Sequence, residues 1–162
     1  MTEERMTEQR EEKKPFLPPR WVVRLAWRIH RGLYRVTGGR FGLRQPRPDR
    51  YGLMYVTTTG RRSGLQRRVM LAYIEDGANL VTLAMNGWDA AEPGWWMNLQ
   101  ATPNADVQLV GGPRSATAWA ATGEERDRLW EHWREVDNKL DVYSQLRPTG
   151  TAVVILGPRQ TT

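Results

Sequence analysis

Between residues 51 and 158 the chain carries six short runs rich in β-branched and aromatic residues, and a glycine follows each within a few positions. The runs are Tyr51–Thr57, Arg67–Glu75, Asn79–Met85, Ala105–Val110, Arg114–Ala121 and Thr151–Leu156. β-Branched and aromatic side chains suit a pleated surface, and glycine permits the sharp turns that end it. Asp76-Gly77 and Gly111-Gly112-Pro113 are the turns expected between neighbouring runs. Helical patterns are few. Pro93–Ala101 is a short one, and a longer one begins at Thr122, where Thr122-Gly-Glu-Glu125 has the form of a capping box. Leu129, Trp130, Trp133, Val136 and Leu140 give that helix an apolar stripe. Six strands with so few helices point to a mainly β (α+β) chain built on a small antiparallel barrel rather than a doubly wound sheet.

At 162 residues the chain fits one domain with a sizeable core. It has no cysteine, which excludes disulfides, thiolate catalysis and Cys-based metal sites and fits a reducing, cytoplasmic setting. No run approaches the roughly 18 apolar residues of a membrane span, and no apolar secretory region is evident. The net charge of +6 is unevenly placed. Residues 1–14 carry five acids and four bases and lack apolar anchors, as a disordered tail would. Residues 15–50 hold nine arginines against Asp49 alone, and residues 51–162 are nearly neutral, with eleven bases and twelve acids. Within 15–50, Trp21–Val36 reads as an amphipathic helix. Val22, Leu25, Ala26, Ile29, Leu33 and Val36 line one face, and Arg24, Arg28, Arg31 and Arg35 line the other. Such a helix suits an anionic membrane interface, or it packs its apolar face on the domain while its arginines are solvated. Its arginines lack the interleaved aromatics of a nucleic-acid platform, so no nucleic-acid partner is expected.

Two blocks carry the candidate chemistry. Thr57-Thr58-Thr59-Gly60-Arg61-Arg62-Ser63-Gly64-Leu65-Gln66-Arg67-Arg68 is a small-residue turn with four arginines between two apolar runs. Exposed N–H groups, hydroxyls and guanidinium forks meeting there would suit a phosphate or carboxylate. A basic, merely solvated hairpin tip is the alternative. The second block runs from Leu83-Ala84-Met85-Asn86-Gly87-Trp88 to Glu92-Pro93-Gly94-Trp95-Trp96-Met97-Asn98-Leu99. Its tryptophans offer flat apolar walls and Asn98 a directional polar contact, a combination suited to a planar, polar-edged ring; an aromatic-packed core border is the alternative. His30 and His132 both fall on helices away from any nucleophile motif and read as structural. No metal site, P-loop or G-x-G-x-x-G is present, so an enzyme of this composition would rely on a bound cofactor.

Taken together, T-T-G-R-x-S-G-x-x-R, a strand pair, N-G and then P-x-W-x-x-N-L resemble the deazaflavin (F420)-dependent nitroreductase and quinone reductase family over roughly residues 20–158. The resemblance implies a split β-barrel of about six antiparallel strands over 51–162, with an N-terminal amphipathic helix and connector at 15–50 and a helix before the last strand. It implies coenzyme F420, an 8-hydroxy-5-deazaflavin with a phosphate and an oligoglutamate tail. Thr59, Gly60, Arg61, Arg62, Ser63, Gly64 and Arg67 would then surround the phosphate and tail. Asn86, Gly87 and Trp88 would border the ring, with Pro93, Trp96, Asn98 and Leu99 shaping the same pocket. Tyr143 stands where the family has a substrate-side tyrosine, able to orient or protonate an acceptor; packing at a helix end is its alternative. Met70, Met85 and Trp88 depart from the family pattern, and Trp88 stands where the mouth of the site is otherwise open.

The function implied is hydride transfer from reduced F420 to a quinone, nitro compound or activated enone. A lipophilic quinone would suit peripheral contact with the inner face of the cell membrane. An FMN-binding split-barrel oxidoreductase and a non-catalytic carrier of hydrophobic ligands at the membrane surface are the alternatives. No feature of the sequence indicates the oligomeric state.

Overall fold

The protein is described by a computed structural model over residues 42–87 and 90–159. Of the two units into which the chain divides, Met1–Phe41 and Gly42–Thr162, the second holds all of these residues. The tail at 1–14, the amphipathic stretch 21–36, His30 and Trp88 lie outside the described residues.

The six runs form six strands: β1 (Gly52–Thr59), β2 (Gln66–Asp76), β3 (Asn79–Leu83), β4 (Asn104–Leu109), β5 (Gly112–Ala120) and β6 (Val153–Pro158). They close into a barrel in the order β1-β2-β3-β6-β5-β4, with every neighbouring pair antiparallel. Closure through β1 and β4, where Val56 pairs with Val107, leaves no long unpaired edge. The expected turns shift slightly. Asp76 pairs with Asn79 around Gly77-Ala78, and Leu109 pairs with Gly112 around Val110-Gly111, so Gly112 and Pro113 belong to β5 rather than to the turn.

Alternation along the strands sorts the apolar residues into two clusters. Met54, Val56, Leu71, Tyr73, Leu80, Val107, Ala116, Val154 and Leu156 form the first, joined by Trp95, Trp96 and Leu99 of helix α1 (Gly94–Ala101). Ile74, Val81, Leu83, Val153 and Ile155 form the second with Leu129, Trp133 and Leu140. Strand β6 thus contributes Val153 and Ile155 to one cluster and Val154 and Leu156 to the other, and all four are 0% exposed. Burial on both faces is why its sequence is a continuous apolar run rather than an alternating one.

The second cluster is covered by helices α2 (Gly123–Val136) and α3 (Leu140–Ser144). The Thr122 side chain makes no capping hydrogen bond, so the capping box expected there does not form. Glu124 and Glu125 in the first turn still complement the helix dipole. The apolar stripe read as one helix is divided between two, since α2 ends at Val136 and Leu140 opens α3. Arg128 on α2 donates to both oxygens of Asp76 at 2.8 and 2.9 Å, tying the helix to the β2–β3 turn. That bond holds the Asp76 carboxyl below its ordinary value, so its stabilisation is present at neutral pH and is lost as pH falls through the lowered value.

Gly157 has a steric role. A Cβ built there would lie 2.6 Å from the Trp119 ring. The indole, 40% exposed, therefore lies across the bare backbone of β6. Gly157→Ala is expected to displace Trp119 and cost about 1–3 kcal/mol. A lowered thermal midpoint together with altered indole fluorescence would check this.

Candidate functional site

The arginine-bearing loop lies between Thr59, the last residue of β1, and Gln66, the first of β2. It is closed by its own backbone: Gly60 N–H donates to Leu65 O at 2.8 Å and Gly64 N–H to Gly60 O at 2.7 Å. Leu65 N–H donates to Ser63 Oγ at 3.3 Å. Gly64 has φ +66°, a conformation that favours glycine, and a Cβ at Gly60 would stand 2.9 Å from Ser63 Oγ. These bonds alter the sequence expectation. The amides of Gly60, Arg61, Gly64 and Leu65 have partners within the protein, so the loop's anion-binding capacity lies chiefly in its guanidinium groups. Arg61, Arg62 and Arg67 are exposed, and none pairs with an acid among the described residues. Arg68 instead lies over the Tyr55 ring, 5.4 Å from its centroid.

Asn98 joins the two sequence blocks. Its side chain is buried in α1, a helix that opens at Pro93, where a proline's fixed φ suits a helix start. Asn98 Nδ2 donates to Thr58 Oγ1 at 3.1 Å, and Asn98 Oδ1 accepts from Arg61 N–H at 3.1 Å. Thr58 Oγ1 in turn donates to the Arg67 carbonyl at 3.4 Å. One carboxamide thus pins β1, β2 and the loop between them to α1. Its two polar atoms are engaged by β1 and by the loop in these bonds, whereas the sequence suggested a contact to a ring. Trp96, read as a flat wall, is 6% exposed and packs in the barrel core beside Trp95 and Leu99. Pro93 is buried as well.

The segment from β3 to α1 carries Asn86 and Gly87, both exposed, with Gly87 at φ +58°. A residue the sequence reading did not single out holds its base. Arg147, whose side chain is 0% exposed, donates from Nη1 to Ala84 O at 2.9 Å and from Nη2 to Glu92 Oε1 at 3.1 Å. Thr149 Oγ1 donates to Ala90 O at 3.0 Å. Nothing in the local pattern Leu146-Arg147-Pro148-Thr149 signals this, because its partners lie 63 and 55 residues away.

Tyr143 lies half-buried on α3, and Arg147 follows one turn later, its N–H bonded to Ser144 O. His132 is half-buried on α2, and no group of three or more His, Asp or Glu among the described residues could hold a metal. Beside the base of the loop, Thr57–Thr59, Gln66, Asn104, Asp106 and Arg159 line a polar cleft of about 140 Å³, smaller than a typical organic-ligand pocket.

Comparison with known proteins places the chain in a family. The family described as F420H(2)-dependent quinone reductase matches residues 26–158. An F420H(2)-dependent quinone reductase of Mycobacterium tuberculosis is 33% identical over 137 residues, spanning 82% of this chain and 89% of the relative. Among solved structures, an F420-H2 dependent reductase has a TM-score of 0.60 and 29% identity, covering 70% of this chain and 96% of its own. A protein described as a domain-swapped dimer has a TM-score of 0.63 and 27% identity, covering 83% of this chain and 98% of its own. With most of its length matched by the family model and by the Mycobacterium tuberculosis relative, the chain belongs to the F420H(2)-dependent quinone reductase family.

Proposed function

We propose that this protein reduces quinones at the expense of F420H2, holding the cofactor's phosphate and carboxylate tail in the Thr59–Arg67 loop. The observation that carries this is the loop itself: three exposed guanidinium groups without acidic partners among the described residues, on a backbone locked by Asn98. Forked cations on a rigid loop fit a polyanionic tail, because little conformational freedom is lost on binding. F420H2, when bound, supplies a hydride for two-electron reduction. Arg61, Arg62 and Arg67 would meet the tail, with the Ser63 and Thr59 hydroxyls at its flank and Gly60 and Gly64 shaping the turn. Asn86 and Gly87 would border the ring. The core positions of Trp96 and Asn98 give them the task of supporting that surface from beneath.

Membership in the family makes the chain an oxidoreductase rather than a ligand carrier, and F420H2, not FMN, is the cofactor its relatives' descriptions name. Nitro compounds and activated enones share the electron-poor, two-electron character of quinones and would be further acceptors. Tyr143 would orient the acceptor and deliver a proton to it. No described helix is long and apolar enough to cross a membrane. The basic stretch 21–36 would bring the protein to an anionic surface where lipophilic quinones reside.

Titration of F420 by fluorescence tests the cofactor site. Replacing Arg61 and Arg67 together by alanine should weaken binding about 10²-fold, from the loss of two charge-assisted contacts. Asn98→Ala should weaken it about 10-fold with every arginine intact, because the loop loses its anchor. Unchanged affinity in the arginine variant would overturn the reading.

Tyr143→Phe should lower kcat with a quinone by about 10²-fold while F420 affinity stays as in the parent. Steady-state kinetics beside the titration would separate these effects, and an unchanged kcat would leave Tyr143 a packing residue. Sedimentation with anionic vesicles at low salt should carry the protein down. Its absence from the pellet would remove the membrane contact.

A further inference from the structure

Arg147 is an unusual residue to bury. Its side chain is fully covered, and among the described residues Nε, like Glu92 Oε2, has no hydrogen-bond partner. Burying a guanidinium against a carboxylate whose side chain stays 37% exposed is a poor device for stability, since the cation loses its hydration for a partner still screened by water. What the pair does provide is direction. The planar fork places Nη1 on Ala84 O and Nη2 on Glu92 Oε1, and Nη2 also lies 3.4 Å from Thr149 Oγ1, whose own hydroxyl holds Ala90 O. Ala84 and Glu92 are the two ends of the segment that carries Asn86 and Gly87.

We propose that Arg147 and Glu92 are positioning residues: the pair staples both ends of the β3–α1 segment together and thereby fixes Asn86 and Gly87 at the edge of the deazaflavin ring. This rests on the reading of Asn86 and Gly87 as the ring border. A segment held at both ends has fewer conformations to lose when a ligand binds, so the staple acts on cofactor affinity without touching the cofactor. Arginine is required because an ammonium offers a point charge in place of a rigid fork that reaches two acceptors. Glu92 stands immediately before Pro93, so the staple also fixes where α1 begins. Helix α1 carries Asn98, and the two loops of the candidate site are thereby positioned from one helix.

The test compares the full chain with Arg147→Lys, Arg147→Met and Glu92→Gln by amide hydrogen exchange and F420 fluorescence titration. In variants that retain a cooperative melt, amides within 84–87 and 90–92 should exchange at least 10-fold faster, while those of β1 and β4 keep the parental rate. F420 affinity should fall about 10-fold in Arg147→Lys, further in Arg147→Met and less in Glu92→Gln, which keeps an acceptor for Nη2. A folded variant with parental exchange at 84–87 and 90–92 would overturn the staple. Faster exchange with parental F420 affinity would overturn its link to the ring. If the Arg147 variants do not fold, Glu92→Gln carries the same two readings. A parent protein that binds no F420 would instead overturn the cofactor reading, leaving the staple to be judged by exchange alone.

Discussion

The carboxamide of Asn98 is the joint on which the candidate site depends. A buried amide has to satisfy a donor and an acceptor at once, and an unmet partner at such depth costs about 1–3 kcal/mol. Here both demands are met across the chain, by Thr58 Oγ1 and by the Arg61 amide. The helix that carries Asn98 is itself set by Trp95, Trp96 and Leu99 in the barrel core. The position of the arginine loop therefore follows from core packing, transmitted through one side chain. A flexible basic hairpin would attract anions equally well but would have more freedom to lose on holding one.

The same economy governs the use of charge. Arg128 and Arg134 lie on the surface of α2, bonded to Asp76 and to Glu131 and Asp141, where water screens them and each pair contributes little. Arg61, Arg62 and Arg67 are exposed and pair with no acid among the described residues, which is the basis for proposing that they meet an anionic ligand. Arg147 is the opposite case: wholly buried, paired, and bonded to the backbone of a segment distant in sequence. Side chains of one type thus sit in three settings, told apart by their described partners as well as by their distance from water.

Strand β6 connects these parts. Because both of its faces are buried, it belongs to the barrel core and to the layer beneath α2 and α3. The chain entering it from α3 carries Arg147 and Thr149 to the base of the β3–α1 segment, and Ala84 N–H bonds Ala152 O beside them. The pairing of β3 with β6 through Leu83 and Val153 places these two connections next to each other. The segment bearing Asn86 is thus organised by the far end of the chain.

The strands were legible in the sequence because each run pairs β-branched residues with a nearby glycine, and both signals are local. The arginine loop was legible for the same reason, since its glycines and cations lie within a dozen residues. The capping box failed because matching residue types do not oblige the Thr122 hydroxyl to turn toward the helix. Trp96 was read as a wall because a tryptophan beside a turn can face either way, and only the closed barrel directs it inward. Neither the partners of Asn98, 37 and 40 residues away, nor those of Arg147 leave any periodic trace. Local periodicity and turn chemistry determined that this chain makes an antiparallel barrel with a basic loop. Only the tertiary structure decided which buried amide and which buried guanidinium hold that loop and its neighbour, because those bonds exist only once barrel closure brings distant residues within 3 Å or so of each other.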